Sequence, residues 1–496
     1  MQALLPFIVL LGIFFLGGYL WALVLSTLQK DPYPPLLIFL LALIFTTAGI
    51  SFIIYGLGLL NIPLSATLVT ALYTILSLPA LGWVLYKKIP LVGLSFPHWQ
   101  NDRAFFLAFL FIAFLAAAIL FNALYFPFSR DDACLYGRFA HAIHQSGHII
   151  AYPTDEPVLY SAYPMYAQYL YSYIYMLSGW PNEYVARFVM AIMSLACLPA
   201  VYLLGKTLFE RRIGILAALL TLLALPFVTW ASSGYVDLPM AFLFTMAALF
   251  AFRLSHSDNW LDALLLGLMT GLAAWMKSTG LIVAVLIMLW LIWNLPQKRI
   301  HFRQLFISLL AMIACAAPWY LRNLLVAHVL IPDTIWFDQV ASTLANLFFF
   351  ITTPHYMGII ISLIFAMGWL YAFYKVFKRS SPDFLLLLLI IPFFLFWWLF
   401  ASYDPRFLVL FLPLIATQGA RFLLALYDAL PLEGQTISRL VLIIILLILG
   451  AQALLKSVEY KEAILQNPLM NDQEKRILVL DNKPPDACLW HGQAIP

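Results

Sequence analysis

Residues 128–137, FSRDDACLYG, place two adjacent carboxylates and an arginine directly after an apolar run that is long enough to cross a membrane. Apolar residues then recur with a helical period, so Asp131 and Asp132 stand at the start of a short amphipathic helix. Capping of that helix explains one acid, because a carboxylate accepts the free N–H groups of a first turn. A second adjacent acid points to chemistry, since two close carboxylates titrate as a coupled pair that suits proton removal from a hydroxyl or amine nucleophile.

More charged residues stand at the ends of other apolar runs. Asp237 opens a run in SSGYVDLPMAFLF, and Lys277 interrupts otherwise apolar sequence between residues 263 and 293. Arg322 ends a run in APWYLRN, and Arg406 follows an Asp-Pro pair in ASYDPRF. Helix capping, snorkelling of a lysine and a local ion pair explain these residues one at a time.

Taken together, the same residues indicate a site. Ionisable groups are costly in a membrane protein and usually mark function there. Arginine forks and a lysine are what a phosphate or diphosphate headgroup binds, and an acid nearby could act as the base. The predicted set comprises the acids Asp131, Asp132 and Asp237 and the cations Lys277, Arg322 and Arg406.

The composition shows which elements must carry this site. The chain has 496 residues, of which 64% are hydrophobic and 10% charged, and its mean hydropathy is +0.94. About 20 apolar residues cross a bilayer as a helix. The sequence therefore predicts an all-α polytopic membrane protein with about fourteen transmembrane helices. The runs lie near residues 4–26, 35–60, 62–86, 104–125, 183–204, 212–230, 237–253, 260–276, 279–295, 303–321, 351–376, 383–401, 406–427 and 437–456.

The distribution of Lys and Arg predicts the orientation. Fifteen of the 27 fall in alternate loops, which should face the cytoplasm. The first run lacks the features of a cleaved signal peptide and is interpreted as a retained span that begins outside. The net charge of +4 follows from this bias, and no basic stretch indicates nucleic-acid binding. The site residues then lie on the extracytoplasmic side. The fifteen are Lys30, Lys87, Lys88, Arg103, Lys206, Arg211, Arg212, Arg253, Lys298, Arg299, Arg303, Lys375, Lys378, Arg379 and Arg439.

Three regions are distinguished: an N-terminal three-span segment (1–100), a transmembrane core (101–456) and a short extracytoplasmic tail (457–496). The core contains a long outer loop at 126–182, which is too long for a simple connection. Eight tyrosines between residues 152 and 175 predict short interfacial helices in this loop, with 161–178 lying along or dipping into the membrane surface.

Neither the cysteines nor the histidines predict a cofactor. The four cysteines have no metal-binding spacing. The sequence permits a disulfide between Cys134 and Cys488 but does not establish it. A divalent metal is the less favoured alternative, because Gly147 breaks the helical face of the nearest group of ligands. That group comprises His141, His144, His148, Asp155 and Glu156.

The chain resembles the GT-C glycosyltransferases, most of all bacterial protein O-mannosyltransferases and the aminoarabinose transferases of lipid A. The likeness covers about residues 101–430. It is carried, in order, by RDDACLYGRFAHAI, YSAYPMYAQYL, NEYVARFVMAIMSLACLPAVYLLGKTLF, SSGYVDLPMAFLF, WMKSTGLIV, PWYLRN and YDPRFLVLFLPLIA.

The resemblance implies a GT-C fold, a polyprenyl-phosphate-linked sugar as donor, and inverting transfer outside the cytoplasm. It implies that Asp131 is the base and that Asp132 stands where relatives commonly have Glu. Asp237 would orient the acceptor or support the base. Lys277 would lie near the donor phosphate, as would Arg322 and Arg406. The substrate pocket would include Tyr136, Arg138 and Tyr163.

The sequence departs from the nearest relatives because three spans precede the acidic loop and the tail is short. The expected partners are the lipid-linked donor, membrane lipids and an acceptor that is a lipid, a polysaccharide or a protein, and the expected location is a bacterial inner membrane. Two other functions stay open. A flippase for lipid-linked sugars would carry charges near the bilayer midplane, whereas these lie at span ends. A non-catalytic subunit would not need intact acids.

Overall fold

The computed structural model describes residues 5–94, 102–129, 136–149, 163–331 and 340–480, and every regular element in those ranges is helical. Among these residues, eleven helices are long and apolar enough to cross a membrane, or twelve if one bent pair is a single span. The prediction of an all-α polytopic membrane protein is confirmed.

The predicted count of fourteen spans is not confirmed. One expected span is a pair of helices, Arg211–Leu223 and Leu225–Ala231, that meet at a 70° bend. Pro226 lies in the first turn of the second helix, where it cannot donate to the preceding turn. Two others, Trp260–Met276 and Gly280–Asn294, are shorter than the roughly 20 residues that a full crossing takes.

The N-terminal segment is packed into the rest of the molecule. On its second helix, Thr47 Oγ1 lies 2.8 Å from the hydroxyl of Tyr166, and Ser51 Oγ donates to the Tyr166 carbonyl (3.0 Å). Between the first two helices, the Tyr33 hydroxyl donates to Asp262 (2.8 Å). The helices of this segment are α1 (Leu5–Thr27), α2 (Pro35–Leu59) and α3 (Ala66–Lys87).

The central part of the chain contains the most buried span, α10, in which 94% of the residues are buried. The helices from residue 103 to residue 327 are α4 (Arg103–Tyr125), α5 (Arg138–Ser146), α6 (Tyr166–Ser178), α7 (Glu183–Leu208), α8 (Arg211–Leu223), α9 (Leu225–Ala231), α10 (Asp237–Leu254), α11 (Trp260–Met276), α12 (Gly280–Asn294) and α13 (Phe302–Ala327).

Three one-turn helices open the C-terminal part of the chain, and two short helices close it. These helices are α14 (Leu344–Leu347), α15 (Phe349–Thr352), α16 (Pro354–Met357), α17 (Ile359–Phe377), α18 (Ser381–Phe400), α19 (Leu412–Asp428), α20 (Leu432–Ser457), α21 (Lys461–Gln466) and α22 (Asp472–Leu480). A 3-10 helix, Pro405–Phe411, leads directly into α19.

Helix α6 differs from the prediction for residues 161–178. The stretch is helical, but its tyrosine rings pack inside the protein and not at a lipid headgroup surface. Tyr169 and Tyr171 are examples, each 1% exposed or less. The physical reason is that α2 and α3 cover this helix and supply hydrogen-bond partners for the phenols, such as Thr70 for Tyr173 (2.7 Å).

Helix ends rich in basic residues meet on one face of the molecule. Arg211 pairs with Asp102 at 3.1 Å, and Arg212 pairs with Asp428 at 3.2 Å, so the starts of α4 and α8 lie beside the end of α19. Helix α4 runs away from this face, and near its other end Asn122 donates to the hydroxyl of Ser232, five residues before Asp237. Asp237 therefore lies on the side of the molecule opposite the basic helix ends.

Candidate active site

The carboxylate of Asp237 lies at the centre of a buried ionic cluster. Asp237 is the first residue of α10, with Pro239 in the same turn, and its side chain is fully buried. Lys277 follows directly after α11 ends, and its Nζ donates to Oδ1 of Asp237. Lys277 is itself only 2% exposed. The two residues are 40 positions apart in the sequence, so the fold has brought together the acid and the lysine that the sequence singled out.

Arg406 completes the cluster from a third part of the chain. It is the second residue of the 3-10 helix that Asp404 caps, since Oδ1 of Asp404 accepts from the Arg406 backbone N–H at 2.8 Å. The Arg406 guanidinium also lies 2.9 Å from Oδ2 of Asp404, and its Nε lies 3.8 Å from Oδ2 of Asp237. Arg406 therefore bridges two carboxylates, and the local ion pair expected from the Asp-Pro-Arg sequence is present.

Aromatic rings surround the two cations. Lys277 Nζ lies 4.3 Å from the centre of the Phe407 ring. The Arg406 guanidinium carbon lies 4.4 Å from the ring of Tyr235 and 5.2 Å from that of Trp230. Such rings stabilise cations through their negative faces and keep water away, so the charges interact in a medium of low polarity.

Tyr136 and Tyr163 adjoin this cluster through Tyr235. The rings of Tyr136 and Tyr235 are 5.8 Å apart, and those of Tyr136 and Tyr163 are 6.4 Å apart. Burial raises the pKa of both the Tyr136 and the Tyr163 hydroxyl, and the charge of Asp237 raises them further. Both phenols therefore stay protonated at neutral pH and can donate hydrogen bonds to a ligand. Two of the three residues predicted for the substrate pocket lie beside the ionic cluster.

Two atoms of the cluster have hydrogen-bonding capacity left over. Oδ2 of Asp237 and Nε of Arg406 are buried, and neither has a hydrogen-bond partner in the part of the chain that the structure describes. Lys277 has three donors, of which Asp237 takes one. Because buried polar groups are almost always satisfied, this combination suits a polar or anionic ligand group.

Arg322 and Arg138 lie on neighbouring helices. Arg322 is near the end of α13, with its guanidinium carbon 4.9 Å from the Trp319 ring. The contacts described above for Asp237 do not include Arg322. Arg138 begins α5, two residues after Tyr136, and is half-buried.

Several expectations fall outside the described residues. These are the acidic pair Asp131 and Asp132, the pairing of Cys134 with Cys488, and the metal-ligand candidates Asp155 and Glu156. The described chain resumes at Tyr136, whose ring contacts Tyr163 and Tyr235 beside the ionic cluster.

The described part of the metal-ligand group can be compared with the expectation. Gly147 ends α5 with φ +68°, the left-handed conformation that glycine favours, so His148 lies beyond the helix that carries His141 and His144. Among the residues that the structure describes, no three His, Cys, Asp or Glu side chains are grouped to hold a metal ion.

Sequence reasoning did not single out the aromatic partners of Arg406. Trp230 lies near the end of α9 and Tyr235 lies in the short stretch between α9 and α10, so both are close to Asp237 in sequence. The signal was present in the cluster TWASSGYVD, but aromatic residues make up 16% of the chain and their position alone is uninformative.

The helical arrangement is the GT-C fold. It is similar to that of ArnT from Cupriavidus metallidurans in the apo state, with a TM-score of 0.50, 19% identity, and coverage of 66% of this chain and 61% of ArnT. ArnT bound to undecaprenyl phosphate matches with a TM-score of 0.49, 18% identity, and coverage of 68% and 63%. At these identities the likeness shows the fold alone.

A further similarity is to the archaeal oligosaccharyltransferase AglB from Archaeoglobus fulgidus in complex with an inhibitory peptide and a dolichol-phosphate. That match has a TM-score of 0.49 and 15% identity, and covers 81% of this chain and 62% of AglB. The chain spans about three fifths of the length of the ArnT structures and of AglB.

The sequence itself matches a family model over part of its length. Residues 162–321 match the dolichyl-phosphate-mannose-protein mannosyltransferase family. This stretch contains Tyr163, Asp237 and Lys277, and it ends one residue before Arg322. No curated protein matches the sequence.

Proposed function

We propose that the protein transfers a sugar from a polyprenyl-phosphate-linked donor to an acceptor on the extracytoplasmic side of a bacterial inner membrane. The observation that carries this proposal is the buried cluster of Asp237, Lys277 and Arg406. It is supported by the family match over the stretch that holds two of these residues, since the donor in that family's name is a polyprenyl phosphate sugar.

The cations suit the leaving group of such a reaction. Displacement at the anomeric carbon breaks its bond to the phosphate oxygen, and the negative charge that develops stays on the lipid phosphate. Lys277 has donors beyond the one that Asp237 takes, and Nε of Arg406 has no hydrogen-bond acceptor among the described residues. Fixed cations in a low-polarity site stabilise charge as it develops and so lower the barrier.

A carboxylate completes the reaction. The acceptor oxygen or nitrogen attacks the anomeric carbon from the face opposite the phosphate, which inverts the configuration, and its proton passes to the base. We assign the base to Asp131, assisted by Asp132. Asp237 orients the acceptor or supports the base, and Tyr136 and Tyr163 offer neutral hydrogen-bond donors to the sugar or phosphate. No step requires a metal ion.

The test uses the full chain in liposomes with a panel of radiolabelled polyprenyl-phosphate sugars. A cell-envelope extract supplies lipid, polysaccharide and protein acceptors together. We expect one donor to be consumed with release of polyprenyl phosphate, and Asp131→Asn to lower that rate about 100-fold or more. The matched control is Arg212→Gln, which removes a cation from the opposite face of the molecule.

Two results would count against the proposal. The first is that folded wild-type protein consumes no donor in the panel. The second is that donor passes between the leaflets without loss of its sugar, which would support a flippase instead.

A further inference from the structure

One buried arginine contacts both chain segments that lead into predicted acids. Arg187 lies in α7 and is 1% exposed. Its guanidinium donates to the carbonyls of Phe126 (3.2 Å) and Pro127, and its Nε donates to the carbonyl of Ser232 (3.0 Å). In the sequence, Asp131 follows shortly after Pro127, and Asp237 follows shortly after Ser232.

A second charged residue of the same helix holds the first segment. Glu183 is fully buried, and its Oε2 accepts from the backbone N–H of Phe128 at 2.8 Å. The other oxygen, Oε1, lies 3.0 Å from the guanidinium of Arg476 in α22. Arg476 therefore supplies a compensating charge to a carboxylate in the protein interior.

The tail is also linked to the second segment, through Arg187 and Asn122. Glu459 lies 3.5 Å from Nη2 of Arg187, and its backbone N–H donates to Asn122 Oδ1 at 3.0 Å. The amide of Asn122 then donates to the hydroxyl of Ser232 at 2.7 Å. Residues 459–476 thus close a network of charges and hydrogen bonds whose other members are buried.

We propose that Arg187 and Glu183 are positioning residues that fix residues 126–128, which precede the acidic pair in the sequence, relative to the segment before Asp237, and that the tail is required for this through Arg476 and Glu459. The proposal rests on the proposed function, because it assigns these residues a role in placing the reacting carboxylates. Backbone carbonyls held by a buried arginine have one preferred position, and catalytic rates depend steeply on such placement.

Arg476 offers the sharpest test, because its side chain is partly exposed whereas those of Glu183 and Arg187 are buried, so its removal disturbs the core less than theirs would. Arg476→Met removes the cation beside Oε1 of Glu183, and Arg476→Lys keeps the charge. Lys475→Met is the matched control, since it removes a neighbouring cation of the same helix whose Nζ lies over Tyr125 at 4.0 Å.

The first measurement is hydrogen exchange of the peptide that contains the Phe128 amide. We expect exchange to speed up about tenfold in Arg476→Met, with values near wild type in Arg476→Lys and Lys475→Met. This arm is independent of any enzymatic activity. Unchanged exchange in a folded Arg476→Met protein would overturn the proposal.

The second measurement is donor turnover. We expect Arg476→Met to lower kcat about 10- to 100-fold with an unchanged KM for donor, and Arg476→Lys to recover most of it. A loss that appears in KM alone would overturn the positioning role. If wild type turns over no donor, the proposed function fails, and the exchange measurement still decides whether the tail anchors the loop.

Discussion

The carboxylate of Asp237 is paired with two cations, Lys277 and Arg406. The effect of removing either cation on stability depends on which other partners remain. Lys277 and Asp237 are both buried, so neither charge is screened by water. Arg406 retains Asp404 as a second partner at 2.9 Å, whereas the described ion pairs of Lys277 involve Asp237 alone. Of the two cations, Lys277 is therefore the one whose buried charge depends most on Asp237 for compensation.

We predict that Lys277→Met lowers the free energy of unfolding by about 3–5 kcal/mol, because it leaves Asp237 buried with less compensation. Asp237→Leu combined with Lys277→Met should recover much of that loss, since both buried charges are then gone. Denaturant unfolding in detergent, followed by tryptophan fluorescence, measures both changes.

The control for this prediction is Arg212→Met. Arg212 contacts Glu210 and Asp428 but is 58% exposed, so we expect a change of less than about 1 kcal/mol. Equal losses in Lys277→Met and Arg212→Met would contradict the view that burial makes the Asp237 pair costly to break.

At the level of single residues, the sequence identified the charged members of the site but not the residues that surround them. Asp237, Lys277 and Arg406 stood out because each is an ionisable group at the end of an apolar run. Their geometry could not be predicted, since it depends on contacts between stretches 40 or more residues apart. Glu183 and Arg187 were not singled out, because one charged residue in the first turns of a helix is an ordinary occurrence.

Among the elements, the contact between α11 and α13 governs where Lys277 lies. Gly267 and Gly271 are four residues apart on α11 and face α13. A Cβ at Gly271 would lie 2.6 Å from the Met312 carbonyl oxygen and 2.7 Å from Cys315 Cβ. Small residues at this spacing let membrane helices approach closely. Lys277 follows six residues later, about 9 Å along the helix axis.

We predict that Gly271→Leu forces α11 away from α13, destabilises the protein by about 1–3 kcal/mol and weakens donor binding, because the shift moves Lys277. Gly56→Leu in α2 is the control, as nothing lies within 4 Å of a Cβ at that glycine. Thermal unfolding and binding of polyprenyl phosphate report the two effects. The prediction is wrong if both variants behave alike.

The helices also show which features the apolar runs of the sequence predict and which they do not. Long runs fixed the spans well, since length and lack of charge are sufficient to identify them. The bend between α8 and α9 and the shortness of α11 and α12 arise where a proline or a loop interrupts an apolar run, which composition does not resolve. Helix α6 was predicted to lie along the membrane surface or to dip into it, because tyrosines favour headgroups, whereas α2 and α3 bury its rings inside the protein.

For the whole molecule, the packing separates two faces. One face collects the basic helix ends, with contacts such as Arg211 to Asp102, and the other holds the Asp237 cluster. The positive-inside rule predicts that the basic face lies in the cytoplasm. The proposed function depends on this orientation, because the donor and acceptor are expected on the outer side.

We predict that a single cysteine replacing Trp180, between α6 and α7, is labelled in intact spheroplasts by a membrane-impermeant maleimide, and that one replacing Gln297, after α12, is not. Both native side chains are exposed, so burial does not protect either position. The four native cysteines are replaced by serine or alanine in the background, and permeabilised cells show that Gln297→Cys can react. Labelling of Gln297→Cys but not of Trp180→Cys in intact spheroplasts would place Asp237 and Lys277 on the cytoplasmic side, and transfer outside the cell by this cluster would then be untenable.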